Sequence, residues 1–203
     1  MSLDVLALNC TLKHCDTASS TGRLLDEVME AFKAHDASGC TIRVVDLDVK
    51  PGVSADEGPG DDWPDLGARI FAADIVVIGT PVWMGQPSSV AKRVLERMDA
   101  FISEADEHSR MPTHGKVAVV AVVGNEDGAH HCHAEIFQAL NDIGFTIPMG
   151  GGTYWVGEAM GATDYKDLPE PAGKTRHTTR VLAANAAHLA RLLKDAPYRG
   201  VAN

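Results

Sequence analysis

Five short apolar runs punctuate the chain, at residues 3–9, 41–47, 74–80, 116–123 and 145–149. The third, Asp74-Ile-Val-Val-Ile-Gly-Thr80, carries no charge after its first residue. Unbroken apolar runs of this length suit strands buried on both faces, as a parallel sheet requires. Between them, apolar residues recur at helical spacing. Leu24, Leu25, Val28, Met29 and Phe32 form one stripe, with Gly39 as its stop, and Val90, Ala91, Val94, Leu95, Met98 and Phe101 form another. Ile136, Phe137, Leu140 and Ile143 give a third, ended by Gly144. Leu182, Ala186, Leu189 and Leu193 give the last, and a weaker helix falls at 65–72. This alternation predicts an α/β fold: a doubly wound, five-stranded parallel sheet in the order 2-1-3-4-5, with helices on both faces. No repeat or linker divides it, so residues 1–203 read as one domain.

Two segments break the alternation. Residues 50–63 carry Pro51, Gly52, Gly58, Pro59 and Gly60 with the acids Asp56, Glu57, Asp61 and Asp62, which reads as a solvated loop. Residues 150–174 are Gly-rich and hold Tyr154, Trp155 and Tyr165. A structureless stretch of that length is uncommon unless it has a job. The two readings of Tyr154 and Trp155 are a cover over a ligand and packing beneath the loop.

Charge narrows the function classes. With 18 Lys+Arg against 28 Asp+Glu the net charge is −10, without the basic footprint of a general nucleic-acid binder. No stretch approaches the roughly 20 apolar residues of a membrane span, and no basic region precedes the first apolar run as in a signal peptide. Four cysteines, Cys10, Cys15, Cys40 and Cys132, have no Cys-x-x-Cys spacing. That argues against a disulfide scaffold, a zinc ribbon or an iron–sulfur cluster, and the expected compartment is a reducing cytoplasm.

In a doubly wound sheet, ligands bind at the carboxyl ends of the strands. After the first strand the loop runs Asn9-Cys10-Thr11-Leu12-Lys13-His14-Cys15-Asp16-Thr17-Ala18-Ser19-Ser20-Thr21 into a helix. Hydroxyls beside free helix N–H groups make a phosphate site, with Thr11, Ser19, Ser20 and Thr21 as donors and Lys13 as a charge partner. The plainer reading is that Ser19, Ser20 or Thr21 only caps the helix. Neither a Gly-x-Gly-x-x-Gly fingerprint nor a P-loop occurs there. The loop after the third strand is Thr80-Pro81-Val82-Trp83-Met84-Gly85-Gln86-Pro87, stiffened by two prolines and bearing flat and polarizable apolar surface. After the fourth comes Gly124-Asn125-Glu126-Asp127-Gly128.

These three loops, with Lys92 and Asp99 on the helix that follows the second of them, resemble the flavodoxin-like NAD(P)H-dependent FMN reductases and quinone reductases. The topology matches over roughly residues 1–148, and the middle motif is the most specific. The first loop departs from the family's compact Gly-Ser-x-Arg form. The resemblance implies a flavodoxin-like fold and bound FMN, its ring against Pro81, Val82, Trp83, Met84, Gly85 and Gln86. Gly124, Asn125, Glu126 and Asp127 would support its other edge. It further implies NAD(P)H as donor and a quinone, free flavin or similar small acceptor, by ping-pong hydride transfer. The cofactor carries the chemistry, so no protein acid–base residue is required.

Rival readings attach to single features. Asp127, His130, His131, Cys132, His133 and Glu135 look metal-binding, but successive helical residues diverge and no motif spacing is present, so no metal is expected. Cys10 and Cys15 read as loop or packing thiols rather than a redox pair. The rival function is a flavodoxin-type electron carrier docking a redox partner through an acidic surface. The segment 150–174, beyond what a carrier needs, favours the enzyme and, with the final helix, offers surface for a homodimer.

Overall fold

The computed structural model describes residues 2–201. Strand β1 (Leu3–Asn9) leads to α1 (Ser20–Lys33), β2 (Ala37–Arg43) and α2 (Trp63–Ala72). Strand β3 (Ile75–Trp83) turns back through the two-residue β4 (Gln86–Pro87) into α3 (Ser89–Met98). Strand β5 (Val117–Gly124), α4 (Ala129–Asp142), β6 (Gly152–Val156) and α5 (Gly173–Asp195) complete the chain. Five strands lie parallel in the order β2-β1-β3-β5-β6, and β4 pairs antiparallel with the end of β3. Discounting that short arm, this is the expected order 2-1-3-4-5.

The central strands alternate between two cores. Val76, Ile78 and Val82 face α2, α3 and α4; Ile75 and Val77 face α1 and α5. Both faces are therefore covered, which is why β3 and β5 read as continuous apolar runs.

The edges of the sheet differ from the sequence expectation. The second strand begins at Ala37 rather than residue 41, and Val44–Asp46 is a 3₁₀ turn. As an edge strand β2 exposes Ser38, Gly39, Cys40 and Thr41, so it lacks the apolar signature. Gly39 is not a helix stop but a strand residue: a Cβ there would meet the Val5 carbonyl oxygen at 1.8 Å. The fifth strand is Gly152–Val156, and the apolar run at 145–149 supplies only a bridge from Thr146 to Val117. Pro148 has no N–H for the ladder and its carbonyl instead accepts the Gly151 N–H at 3.0 Å, so the chain turns before it pairs.

Residues 50–63 are largely exposed, as a solvated loop is expected to be, but the Asp61 carboxylate departs from that reading. The Asp61 and Arg97 side chains are fully buried and paired at 2.8 Å, while Arg97 Nη1 and Nη2 donate to the carbonyls of Lys50 and Ser54, each at 2.9 Å. Asp61 also accepts N–H bonds from Lys50, Glu57 and Trp63. Burial pushes the Asp61 carboxyl up, but the Glu57 N–H, the Arg97 guanidinium and the other N–H donors outweigh it, leaving it at about 2. What the composition presents as a solvated loop is wrapped around a buried ion pair.

Candidate functional site: a cavity at the carboxyl ends of the strands

The loop after β1 is organised before any ligand is considered. Asn9 Oδ1 accepts the Thr11 N–H at 3.2 Å and Thr11 Oγ1 accepts the Lys13 N–H at 3.3 Å. Arg43, the last residue of β2, donates Nη1 to the carbonyls of Lys13, His14 and Thr17. Ser19 is the N-cap of α1, its Oγ accepting the Gly22 N–H at 2.9 Å, and Ser20 Oγ accepts the Lys166 N–H at 3.2 Å. With an oxygen lone pair so engaged, each hydroxyl keeps its hydrogen to donate. The first N–H groups of α1 have no intrahelical acceptor. Capping and anion binding thus coexist on one turn.

The loop after β3 is a two-residue turn. Trp83 pairs with Gln86, and Met84 and Gly85 between them have φ of +54° and +74°. Positive φ at both central residues is the turn type whose twist suits a hairpin. The Glu126 carboxylate reaches across from the end of β5, its two oxygens accepting the N–H groups of Met84 and Gly85 at 3.1 Å each. Gly128 lies so close that a Cβ there would meet Gly85 Cα at 2.7 Å. Deeper in, Ser88 Oγ donates to the Cys10 carbonyl at 2.6 Å and the Ser88 N–H reaches Thr80 Oγ1 at 3.0 Å, joining the first two loops.

The third wall comes from residues 155–168. Asn125 accepts the Met160 N–H through its main-chain oxygen at 2.9 Å, and its Nδ2 donates to Gly161 O at 3.3 Å and Asp164 Oδ1 at 3.2 Å. Tyr165 is fully buried against Trp155, ring centroids 5.3 Å apart, and donates its hydroxyl to Glu27 at 2.6 Å. Burial and the Glu27 carboxylate push that phenol well above its usual range. Arg23 lies over the Tyr165 ring and donates to the carbonyls of Tyr165, Lys166 and Leu168.

These walls enclose a cavity of about 550 Å³, within the usual range for a small-molecule pocket. Thr11, Lys13, Ser19, Ser20, Thr21, Pro81, Val82, Trp83, Met84, Gly124, Asn125 and Glu126 all line it. Gly85, Gln86 and Asp127 do not. Gly85 is held by Glu126, Gln86 Oε1 meets His131 Nε2 at 3.1 Å, and Asp127 Oδ1 accepts the Gly128 N–H at 2.7 Å. Six lining residues stand outside the sequence-derived set: Leu12, Val123, Trp155, Met160, Gly161 and Asp164. Trp155 had an aromatic signal; Met160, Gly161 and Asp164 had none. The mouth is apolar, with Trp83 53%, Met84 89% and Met160 93% exposed. Tyr154, in contrast, points away and packs edge-on to His130 and His133.

The histidine run disperses. His133 is buried, stacked on Phe137 and hydrogen-bonded to the Thr153 carbonyl at 3.3 Å, and burial lowers its pKa to about 4. His131 turns toward Glu135, which also pairs with Lys92. Among the described residues no three His, Cys, Asp or Glu side chains converge as metal ligands. Cys10 is buried, its thiol pushed up to about 12, and both Cys10 and Cys15 are free thiols.

The profile of the family described as NADPH-dependent FMN reductase matches residues 3–161. The chain belongs to that family. As a member of it, the chain is 30% identical over 210 residues to 8-demethyl-8-aminoriboflavin-5'-phosphate synthase of Streptomyces davaonensis, covering 98% of this chain and 81% of that protein. It superimposes on the crystal structure of RosB with bound 8-demethyl-8-formylriboflavin-5'-phosphate with a TM-score of 0.88 at 30% identity, covering 97% of this chain and 82% of that one. It is also 34% identical over 200 residues to the divalent metal cation transporter MntH of Mycobacterium bovis, covering 95% of this chain. The chain spans only 29% of that transporter's length, and among the described residues no helix is long and apolar enough to cross a membrane. Family membership and the two flavin-related likenesses support FMN binding.

Proposed function

We propose that this FMN reductase family member binds FMN in the cavity and acts as an NAD(P)H-dependent oxidoreductase toward a quinone, free flavin or similar small acceptor. The observation that carries this reading is the polarity of one cavity: a hydroxyl-rich helix N-terminus at one end, an open apolar mouth at the other. The donor set fits the group. The α1 N–H groups, the hydroxyls of Ser20 and Thr21, and Lys13 would hold the phosphate. Pro81, Trp83 and Trp155 offer flat apolar surface to the ring. Bound there, the flavin would supply hydride and electron transfer. The chain's own residues position, exclude water from the inner face, and leave the outer face open. Trp83, Met84 and Met160 border a mouth that serves donor and acceptor in turn, which implies ping-pong kinetics. A planar acceptor would pack on these apolar side chains.

The match to RosB favours a second reading, in which a riboflavin 5'-phosphate is the substrate modified in the same cavity. One preparation separates the two. The purified chain is denatured and its chromophore chromatographed, and NADPH oxidation with a benzoquinone is followed at varied concentrations of both. Unmodified FMN and parallel double-reciprocal lines support the reductase. A flavin of altered mass, with no quinone-dependent NADPH oxidation, supports the second reading. Replacing Ser20→Ala together with Thr21→Ala should weaken FMN binding, by about 1.5–3 kcal/mol per lost hydroxyl donor to a charged phosphate, read by fluorescence titration.

Free, exposed Cys15 and Cys40 suit a reducing compartment. A homodimer is supported by a groove of about 980 Å³ between α1 and α5. Asp26 and Glu30 contribute to one wall, Arg176 and Arg180 to the other, so two copies related by a twofold axis along the helices would pair acid with base. Light scattering at twice the chain's 21.6 kDa checks it.

A further inference from the structure

We propose that Glu126 is a positioning residue of this cavity: its carboxylate sets the turn at Met84 and Gly85, and through it the wall and mouth formed by Trp83 and Met84. The inference deepens the reading given above and rests on it for the ligand's identity. Its structural part stands alone.

Three observations converge. Both Glu126 oxygens are used on one turn, accepting two successive N–H groups at equal distances of 3.1 Å. Charge-assisted bonds of this kind are the stronger sort, and a bidentate pair also fixes direction. The turn needs fixing. Met84 is a non-glycine residue at φ +54°, a conformation that costs an L residue energy. It is 89% exposed, so packing does not hold it there. Finally, Glu126 itself lines the cavity, so the clamp sits beside the ligand rather than behind the fold.

The same bonds have a second effect. Backbone N–H groups on the loop after β3 would be natural donors to the carbonyl edge of a flavin ring. The N–H groups of Met84 and Gly85 are instead occupied by a protein carboxylate. On this geometry that turn supplies shape, and the phosphate end supplies the affinity. Loss of Glu126 should then disturb the encounter with a second molecule at the mouth more than the holding of FMN.

The test compares the wild type with Glu126→Ala, Glu126→Gln and Met84→Gly, and with the double variant Glu126→Ala/Met84→Gly. Amide exchange at Met84 and Gly85 is read by NMR on the chain stripped of ligand. FMN affinity is read by fluorescence, and KM and kcat by NADPH oxidation with a benzoquinone. In Glu126→Ala, exchange at both amides should quicken and KM for the quinone should rise, each by about 10- to 100-fold, as expected for losing hydrogen bonds to a charged group. FMN affinity should change less than about threefold. Glu126→Gln should fall between. Glycine at position 84 adopts the turn unaided but removes an apolar side chain from the mouth, so Met84→Gly alone sets the baseline, and Glu126→Ala should raise KM several-fold less in that background than in the wild type. Unchanged exchange at both amides overturns the clamp whether or not the chain takes up FMN. Equal losses of FMN affinity and quinone turnover overturn the positioning role, because Glu126 would then be a flavin ligand. A wild type that takes up no FMN defeats the flavin reading alone, and the amide exchange still decides the clamp.

Discussion

Residues 50–63 and 150–168 carry nearly the same compositional signal, rich in glycine and poor in apolar periodicity, yet they are fastened in different ways for different ends. The first wraps Arg97, whose charge is met by Asp61 and whose Nη1 and Nη2 donate to main-chain carbonyls. It lies away from the cavity. The second is held by Asn125, Arg23 and Glu27, and its residues Trp155, Met160, Gly161 and Asp164 form a cavity wall. Composition reports that a segment is irregular. What lies beneath it decides whether it is a strut or part of a site.

The comparison breaks most sharply at Arg97. Arg97→Met leaves Asp61 buried without its partner, at an expected cost of about 3–5 kcal/mol, measured by urea unfolding. FMN affinity of the folded fraction should be unchanged, since no lining residue is touched. Adding Asp61→Leu should not recover the loss, because it also strips the Lys50, Glu57 and Trp63 N–H groups of their acceptor. Weakened FMN binding in these variants would erase the distinction between the two segments.

Acid should separate them next. His133, under the Thr153 carbonyl of β6, has a folded pKa near 4, below its ordinary 6.5. The unfolded chain therefore binds the extra proton first. Stability from neutral His133 is complete above about pH 6.5 and is lost as pH falls toward 4, by up to about 3 kcal/mol. Asp61's contribution is complete above the ordinary carboxylate value near 3.8 and is lost as pH falls from there to about 2, a window below that of His133. Between pH 6.5 and 4 the melting temperature should drop, and His133→Gln should flatten that drop. A slope unchanged by the substitution would place the titration elsewhere.

The smallest expected effect is at Tyr165. Tyr165→Phe keeps the ring against Trp155 but strips Glu27 of its hydroxyl donor, at about 1–3 kcal/mol. Unlike the Arg97 variant, it should also weaken FMN binding, because the wall shifts with it. Stability loss with unaltered affinity would make 150–168 a strut as well.

The interior of the molecule was legible in its residues and the periphery was not. β1, β3 and β5 are covered on both faces, so nearly every position apart from Asp4, Asn9 and Thr80 is apolar and the run declares itself. β2 and β6 lie at the edges, where Ser38, Thr41 and Tyr154 face outward and the pattern dissolves. The cavity followed the same division. Lining residues that immediately follow the central strands were readable, because a doubly wound sheet places ligands there. Met160, Gly161 and Asp164 arrive from the tail through hydrogen bonds to one asparagine, and no local spacing announces that. Arg43 was missed for a related reason: its role toward the Lys13 carbonyl depends on β2 ending beside the first loop, a tertiary fact.

Helix α1 grips the tail-derived wall twice, through Ser20, whose Oγ accepts the Lys166 N–H, and, seven residues on, through Glu27, which takes the Tyr165 hydroxyl. At 1.5 Å per residue those holds stand about 10 Å apart along one stiff rod. A turn pinned at two separated points cannot swivel about either of them. The wall that the tail contributes is therefore tied to the same helix whose first turn forms the hydroxyl end, and the two keep their relative places although more than a hundred residues separate them in the chain.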